Sequence, residues 1–312
     1  MTTHDRVPAP SISGGSPGDG LDGVIVVDKP AAWTSHDVVN KMRRLAHTRK
    51  VGHLGTLDPD ATGVLPLVIG RATRLAQFFS NHEKQYEGVI RFGFSTDTYD
   101  AAGEPTSPET NVTISWGAVE RALSAFRGEI LQTPPAVSAK KLHGTPAYKL
   151  AKKKLAVVLE PVSVKIHSLE LLSVEGDDAA IRLRCSAGTY VRSIAHDVGA
   201  AMGCGAHLKT LRRVASGPFH LAQTHTLEQI ADLSERDLLS QLLIPLVELL
   251  PEFPCESVDE IIAQQIRHGR AFHATSPNVS SDARYIKAIS EGQLIAIGEH
   301  REAHTYHPVV VL

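Results

Sequence analysis

The sequence predicts an α+β fold: a mixed sheet with flanking helices, followed by a small β-rich unit. Three observations predict it. Short apolar or alternating runs suited to strands are interleaved with stretches of helical periodicity, without the strict alternation of a doubly wound sheet. Beyond Pro251 and Pro254, about 60 residues hold one helical stretch and three short strand-like runs. At 312 residues, 42% hydrophobic and 21% charged, the chain has the length and composition for one large globular domain plus a small one.

The elements follow in order. Residues 1–20 are rich in Pro, Gly and Ser, which predicts a disordered tail, and they hold no apolar run of the signal-peptide kind. Gly23–Val27 reads as a buried strand ending at Asp28-Lys29-Pro30. Thr34 or Ser35 then caps a helix with Val38, Met42 and Leu45 on one face. Gly52–Gly63 is turn chemistry, and Val64–Ile69 an apolar strand. A helix is predicted around Arg71–Phe79, then a strand over Gln85–Phe94 with Tyr86, Ile90, Phe92 and Phe94 on one face. Val119, Leu123 and Phe126 mark another helix. Gln132–Lys154 reads as a long basic loop or hairpin, Val162–Val174 and Ala180–Ser186 as strands, and Val191–Met202 as a helix. Helical residues near Leu227–Leu243 lead to the prolines. The last unit then carries a helix at Val258–His268 and strands at Tyr285–Ile289, Leu294–Ile297 and Val309–Leu312. The domains expected are thus a main one over 21–250 and a small one over 251–312.

Composition excludes several classes. No apolar run approaches the roughly 20 residues that span a bilayer, so no membrane partner is expected. Three cysteines (Cys185, Cys204, Cys255) form no CxxC pair, which favours a reducing cytoplasm and argues against structural zinc. The net charge of −2 hides basic segments: five cations over Lys41–Lys50, six over Lys140–Lys154 and six over Arg182–Arg213. Together these could line one face toward a polyanion; singly each reads as a solvated surface.

Asp58 sits in a Gly-flanked loop between elements, where reactive groups are commonly held, although Leu57-Asp58-Pro59 alone equally suits a helix-capping turn. There is no GxGxxG after a strand, no phosphate-cradling GxxxxGK[ST], and no ligand-spaced pair among the sixteen histidines. No metal or cofactor is expected, so chemistry falls to carboxylate, Tyr, Arg and His side chains. Asp58-Pro59-Asp60-Ala61-Thr62 fits the DxDx[TV] signature of haloacid-dehalogenase-type phosphohydrolases. The bulky strand which that motif needs before it is missing, since Val51–Leu57 reads VGHLGTL.

The run Gly52–Pro66 (GHLGTLDPDATGVLP) closely resembles the catalytic motif of the TruB family of tRNA pseudouridine-55 synthases. Further segments resemble that family in its order over about residues 22–220. They are Asp28-Lys29-Pro30 with Thr34-Ser35, Lys84-Gln85-Tyr86, Thr96–Gly103 (TDTYDAAG), Gln132–Tyr148 (QTPP, SAK and a later Gly and Tyr), Gly188–Ile194 (GTYVRSI) and Leu211-Arg212-Arg213. The resemblance implies a pseudouridine synthase fold with a PUA-like C-terminal domain, and an isomerase that needs no metal or cofactor. It implies Asp58 as catalytic nucleophile, with Arg192 beside it favouring its ionised form. Tyr86 would stack on the flipped uracil, Tyr190 and Leu211 would wall the pocket, and His53 would fill the gap left by the extruded nucleotide. Singly, the tyrosines and Leu211 suit core positions and Arg192 a helix surface; the joint pattern raises them. Asp60 falls at a variable position of the motif and takes no role.

The partner implied is tRNA, through its T-arm stem-loop. Phosphates would be gripped by Lys29, Arg43, Arg44, Lys140, Lys141, Lys152 and Lys153, although Lys29 equally suits support of its own turn. After Tyr148 this chain has Ala151-Lys152-Lys153-Lys154-Leu155 where the family commonly carries an Ala-Arg-x-Gly-type turn, so cations are kept while the planar Arg fork is absent. A cytoplasmic monomer acting without a protein partner is expected. The alternatives are a non-catalytic RNA-binding or tRNA-folding module of the same fold, or a guide-RNA-directed synthase. The retained Asp58–Tyr86–Arg192 set speaks against the first, and the apparent self-sufficiency of the chain against the second.

Overall fold

The computed structural model describes residues 20–138, 141–142, 145–146, 159–277, 279–280, 283–302 and 304–312. Residues 1–19 of the expected tail (1–20) and the basic residues Lys140, Lys152 and Lys153 lie outside them, as does the side chain of Lys141.

The chain runs β1 (Gly23–Lys29), α1 (Ser35–Leu45), β2 (Val51–His53), β3 (Thr62–Ile69), a 3₁₀ helix (Gly70–Phe79), β4 (Lys84–Phe92), α2 (Trp116–Ser124) and β5 (Gly128–Gln132). The two-residue strands β6 (Lys141–Leu142) and β7 (Thr145–Pro146) pair with each other. There follow β8 (Val162–Glu175), β9 (Asp178–Cys185), α3 (Val191–Ala201), β10 (Ala206–Ser216), β11 (Phe219–His220) and α4 (Leu227–Glu235). The C-terminal part holds β12 (Cys255–Ser257), α5 (Glu260–Arg267), β13 (Phe272–His273), β14 (Tyr285–Ser290), β15 (Gln293–Glu302) and β16 (Thr305–Val311).

The main sheet has the order β1-β3-β10-β4-β9-β8-β5, with β2 beside β3 and β11 beside β10. Its pairings are antiparallel except between β3 and β10, which run parallel at Gly63 and Arg213. This is the expected mixed, largely antiparallel α+β sheet. Its strands near β1 are covered on both faces. Ile25 and Val27 point toward α1, while Val24 and Val26 point toward the 3₁₀ helix and the C-terminal sheet, the two-residue alternation of a strand sandwiched between layers. On the helical side Val38, Met42, Val119, Leu123, Ile194 and Val198 are fully buried. Each such side chain contributes about 1.5–3 kcal/mol by leaving water.

Helix α1 starts as expected at Thr34. The Thr34 hydroxyl accepts from the Asp37 N–H at 3.1 Å, and Asp37 Oδ2 accepts from the Thr34 N–H at 3.0 Å, a reciprocal cap contributing about 1 kcal/mol. The C-terminal sheet, ordered β12-β14-β15-β16-β13, shares one apolar cluster with the main sheet: Leu294, Ile297 and Val310 join Val24, Val26, Val64 and Val68, with Leu249 and Leu250 of the connecting segment between them in sequence. Phe78, Phe253 and Tyr285 form an aromatic trio at the same junction, with ring centres 5.3–5.5 Å apart. Among the described residues no helix is long and apolar enough to cross a membrane.

The structure departs from the sequence reading at several points. Phe126 lies beyond α2, which ends at Ser124. Phe94 is outside β4, because Gly93 at φ +114° ends the strand. The helical residues expected near Leu227–Leu243 fall in two elements: α4 stops at Glu235, Asp237 turns at φ +56°, and a short 3₁₀ segment follows at Leu239–Leu242. And the whole of β10, the central strand between β3 and β4, was not anticipated.

Candidate active site

The loop between β2 and β3 carries Asp58, and its backbone is held from three sides. The Ser35 hydroxyl donates to the Leu57 carbonyl and accepts from the Leu57 N–H, at 3.2 and 2.9 Å. Arg213 on β10, 1% exposed, donates to the carbonyls of Val64 at 2.7 Å and Gly55 at 3.1 Å. Lys29 at the end of β1 is completely buried, and its ammonium donates to the carbonyls of Pro30, Trp33 and Pro59 at 2.8, 2.5 and 2.7 Å.

Lys29 is therefore not a phosphate contact; it ties the Pro30–Trp33 turn to the residue beside Asp58. Burial brings its ammonium down to about 8, which leaves it charged and donating at neutral pH. Replacing Lys29 with Met strands three carbonyls. Loss of about 3 kcal/mol of stability is expected in chemical denaturation, with a fall in turnover because Pro59 is no longer held.

Arg192, the second residue of α3 and 4% exposed, faces Asp58 as a fork. Its Nε lies 2.8 Å from Oδ2 and its Nη2 3.0 Å from Oδ1. The same guanidinium donates to the carbonyls of Thr98 at 3.1 Å and Val137 at 3.0 Å, and its Nη1 lies 3.4 Å from Asp100 Oδ2. Three distant sequence segments, at Asp58, Thr98–Asp100 and Val137, thus meet on one cation. Its helix is anchored by Gln132 at the end of β5, whose amide donates to the Tyr190 carbonyl at 3.0 Å and accepts from the Tyr190 N–H at 2.7 Å. The Ser193 hydroxyl adds a bond to the Thr133 carbonyl at 2.8 Å.

A cavity of about 300 Å³ opens above the pair. Its lining brings together Asp58, Tyr86, Tyr190, Arg192 and Leu211, with Lys84 and Arg213 beside them. The size and the mixture of apolar walls with a few convergent polar groups suit a small planar ligand. The guanidinium does not win the electrostatic contest at Asp58. Burial pushes the carboxyl above the usual carboxylate range, against the opposing pull of Arg192. The Tyr86 phenol is likewise raised by burial.

His53 stands apart from this cavity, on β2, where its Nδ1 accepts from the Gly55 N–H at 3.3 Å and burial lowers its pKa. Arg43 donates to Asn40 Oδ1 and the Val51 carbonyl, both at 3.1 Å, so it braces β2. Arg44 is exposed on α1. The Arg182–Arg213 cations do not form a free basic face either. Arg182 pairs with Glu87, Arg184 with Glu83, Lys209 with Asp178 and Arg212 with Asp28, while Arg192 and Arg213 are buried in the site. Asp100, Gln132, Lys84 and Arg213 had no role from sequence. All four lie inside the quoted motif segments, which was the available signal.

Family models for the TruB pseudouridylate synthase N-terminal domain and the tRNA pseudouridylate synthase B C-terminal domain match residues 43–191 and 192–251. A tRNA pseudouridine synthase B of Solibacter usitatus is 58% identical over 94% of this chain and 100% of that protein. The chain belongs to the TruB family. A second TruB relative, tRNA pseudouridine synthase B of Stutzerimonas stutzeri, is 41% identical over 90% of this chain and 92% of its own. Among solved structures, a chain of an H/ACA ribonucleoprotein bound to a substrate RNA superposes with TM-score 0.70 at 23% identity, covering 94% of this chain and 85% of that one. One from a Cbf5–Nop10–Gar1 complex gives 0.69 at 25%, covering 94% and 84%. The fold is that of the pseudouridine synthases. The junction of the two TruB models, at Val191 and Arg192, lies inside α3, so it marks no boundary between folding units.

Proposed function

We propose that this TruB-family chain isomerises uridine 55 in the T-loop of tRNA to pseudouridine, as a cytoplasmic monomer needing no guide RNA or protein partner. The observation that carries the reading is the Asp58–Arg192 fork set into a cavity walled by Tyr86, Tyr190 and Leu211. The relatives' names supply the tRNA substrate.

The reaction breaks the N1–C1′ bond, turns the uracil and rejoins it through C5. A nucleotide drawn out of the T-loop brings its base to Tyr86, which stacks on it. The Asp58 carboxylate, oriented by two bonds from Arg192, supplies the attacking electron pair. Tyr190 and Leu211 exclude water, so the detached base recombines with the sugar it left. The Tyr86 hydroxyl, held protonated by burial, is a donor and not a base at neutral pH. Outside the pocket, His53 fills the space of the extruded base, and Arg44 with the basic segment after Gln132 grips phosphates. The catalytic unit spans 21–250, and 251–312 form a PUA-like unit.

Transcripts of tRNA labelled with tritium at C5 of uridine test this directly. The expected result is release of about one tritium per tRNA, lost when the T-loop target is changed to cytidine, since only C5 of a rearranged uridine exchanges its proton. Binding of the transcript with no release would replace the enzyme by a non-catalytic RNA-binding module.

A further inference from the structure

Three lysines are buried among the described residues. Lys29 has three carbonyl acceptors, and Lys287 has two, the carbonyls of Val247 and Leu249 at 3.0 and 3.1 Å. Both are structural ties. Lys84 differs: 8% exposed, it has a single acceptor, the His82 carbonyl at 2.5 Å, and it lines the same cavity as Asp58 and Tyr86. Lys84 and Tyr86 are two residues apart on β4, so they share its buried face.

Among the described residues no carboxylate pairs with Lys84, and the one in the cavity, Asp58, is paired with Arg192. Burial lowers its pKa, and Arg213, which lines the same cavity and unlike Arg192 has no carboxylate partner among the described residues, lowers it further. The Cys185 thiol opposite it in the sheet is pushed up to about 11 and stays neutral, as does the buried Tyr86 phenol. Glu83, next in sequence, is turned outward to Arg184 and His167. Two buried cations side by side with no carboxylate partner are costly for folding. Such a departure from ordinary charge pairing is characteristic of sites built for a ligand.

We infer that Lys84 is an electrostatic catalytic residue whose ammonium, backed by Arg213, stabilises the negative charge that develops on the uracil. The inference rests on the proposed isomerase reading. When the N1–C1′ bond breaks, its electron pair stays with the base, giving a uracil anion with charge shared by N1, O2 and O4. C1′ is compensated by the pair from Asp58, or the ribose gives up its 2′ proton. Attack of C5 on C1′ then forms the new bond as the Asp58–C1′ bond breaks and its electron pair returns to the carboxylate, or, in the second case, as C2′ takes its proton back. The C5 proton finally passes to water, restoring the aromatic ring. Lys84 neither forms nor breaks a covalent bond; its charge lies in a water-poor cavity, where a fixed cation stabilises an anion most.

The test uses single-turnover conversion of tRNA carrying uridine or 5-fluorouridine at the target, read by nuclease digestion and chromatography. Fluorine withdraws electrons from the ring and itself stabilises the anion, so it substitutes in part for the lysine. Lys84→Met is expected to slow uridine conversion by about 10²-fold. It should slow 5-fluorouridine conversion by a clearly smaller factor and leave tRNA affinity unchanged, and Lys84→Arg should recover most of the uridine rate. Equal slowing of both substrates, wild-type rates in Lys84→Met, or loss of folding or tRNA binding in both variants would each assign Lys84 a structural role and overturn the inference. A wild-type protein that converts neither substrate overturns the isomerase reading itself, and the inference with it.

Discussion

Asp58→Asn is expected to remove tritium release by at least about 10⁴-fold while leaving tRNA binding within reach of the wild type. The substitution keeps the shape of the side chain and takes away the electron pair the reaction needs. It also changes the fork: an amide nitrogen now faces one of the Arg192 donors, which lie 2.8 and 3.0 Å from the two carboxylate oxygens. Arg192 remains anchored by the carbonyls of Thr98 and Val137 and by Asp100, so the pocket wall should survive. Folding should survive as well, since the half-buried carboxyl is itself destabilised by its surroundings. Single-turnover tritium release beside fluorescence anisotropy with labelled tRNA separates the two effects. A variant that still turned over at a measurable fraction of the wild-type rate would remove Asp58 from the chemistry.

Why this site was partly legible in sequence is a matter of locality. The Asp58 loop announces itself because a tight turn needs Gly, Asp and Pro in sequence, and α1 because capping is decided within four residues. Strand β10 is different. Its pairing with β4 slips between Leu208 and Thr210 and again between Arg213 and Ala215, so the two-residue alternation that signals a strand is broken twice within eleven residues. Lys209, Arg212 and Arg213 further disguise it, although two of them are neutralised by partners distant in sequence, Asp178 and Asp28, and the third is buried on backbone carbonyls. Those partners are also why the basic character of the segment misled: ion pairing across a sheet is non-local and leaves no trace in a local charge count. The meeting of Gln132, Thr98, Asp100 and Val137 around α3 is non-local in the same way, and only the family pattern of several motifs anticipated that those segments converge.

The same convergence makes Arg192→Gln the second large effect, and its pH dependence has a definite sign. A loss of about 10²–10³ in kcat is expected at neutral pH, from an attacking carboxylate no longer oriented or balanced. Burial already holds Asp58 above the usual carboxylate range, and Arg192 is the main opposing influence, so its removal carries the carboxyl higher still. Activity requires the ionised form. It therefore falls as pH drops through the folded-state pKa, and in Arg192→Gln that acid limb moves to higher pH than in the wild type. Stability moves the opposite way. A carboxyl with a raised folded-state pKa holds its proton where the unfolded chain has lost it, so the variant is best tolerated at low pH and loses ground to the wild type as pH rises through that raised value. A fully buried pair would cost 3–5 kcal/mol when broken; with the Asp58 side chain 38% exposed, about 2 kcal/mol is the expected scale. Rate profiles and melting curves of both proteins between pH 5 and pH 9 provide the check. An acid limb that stays in place on removal of the guanidinium would mean that Arg192 orients Asp58 without tuning it.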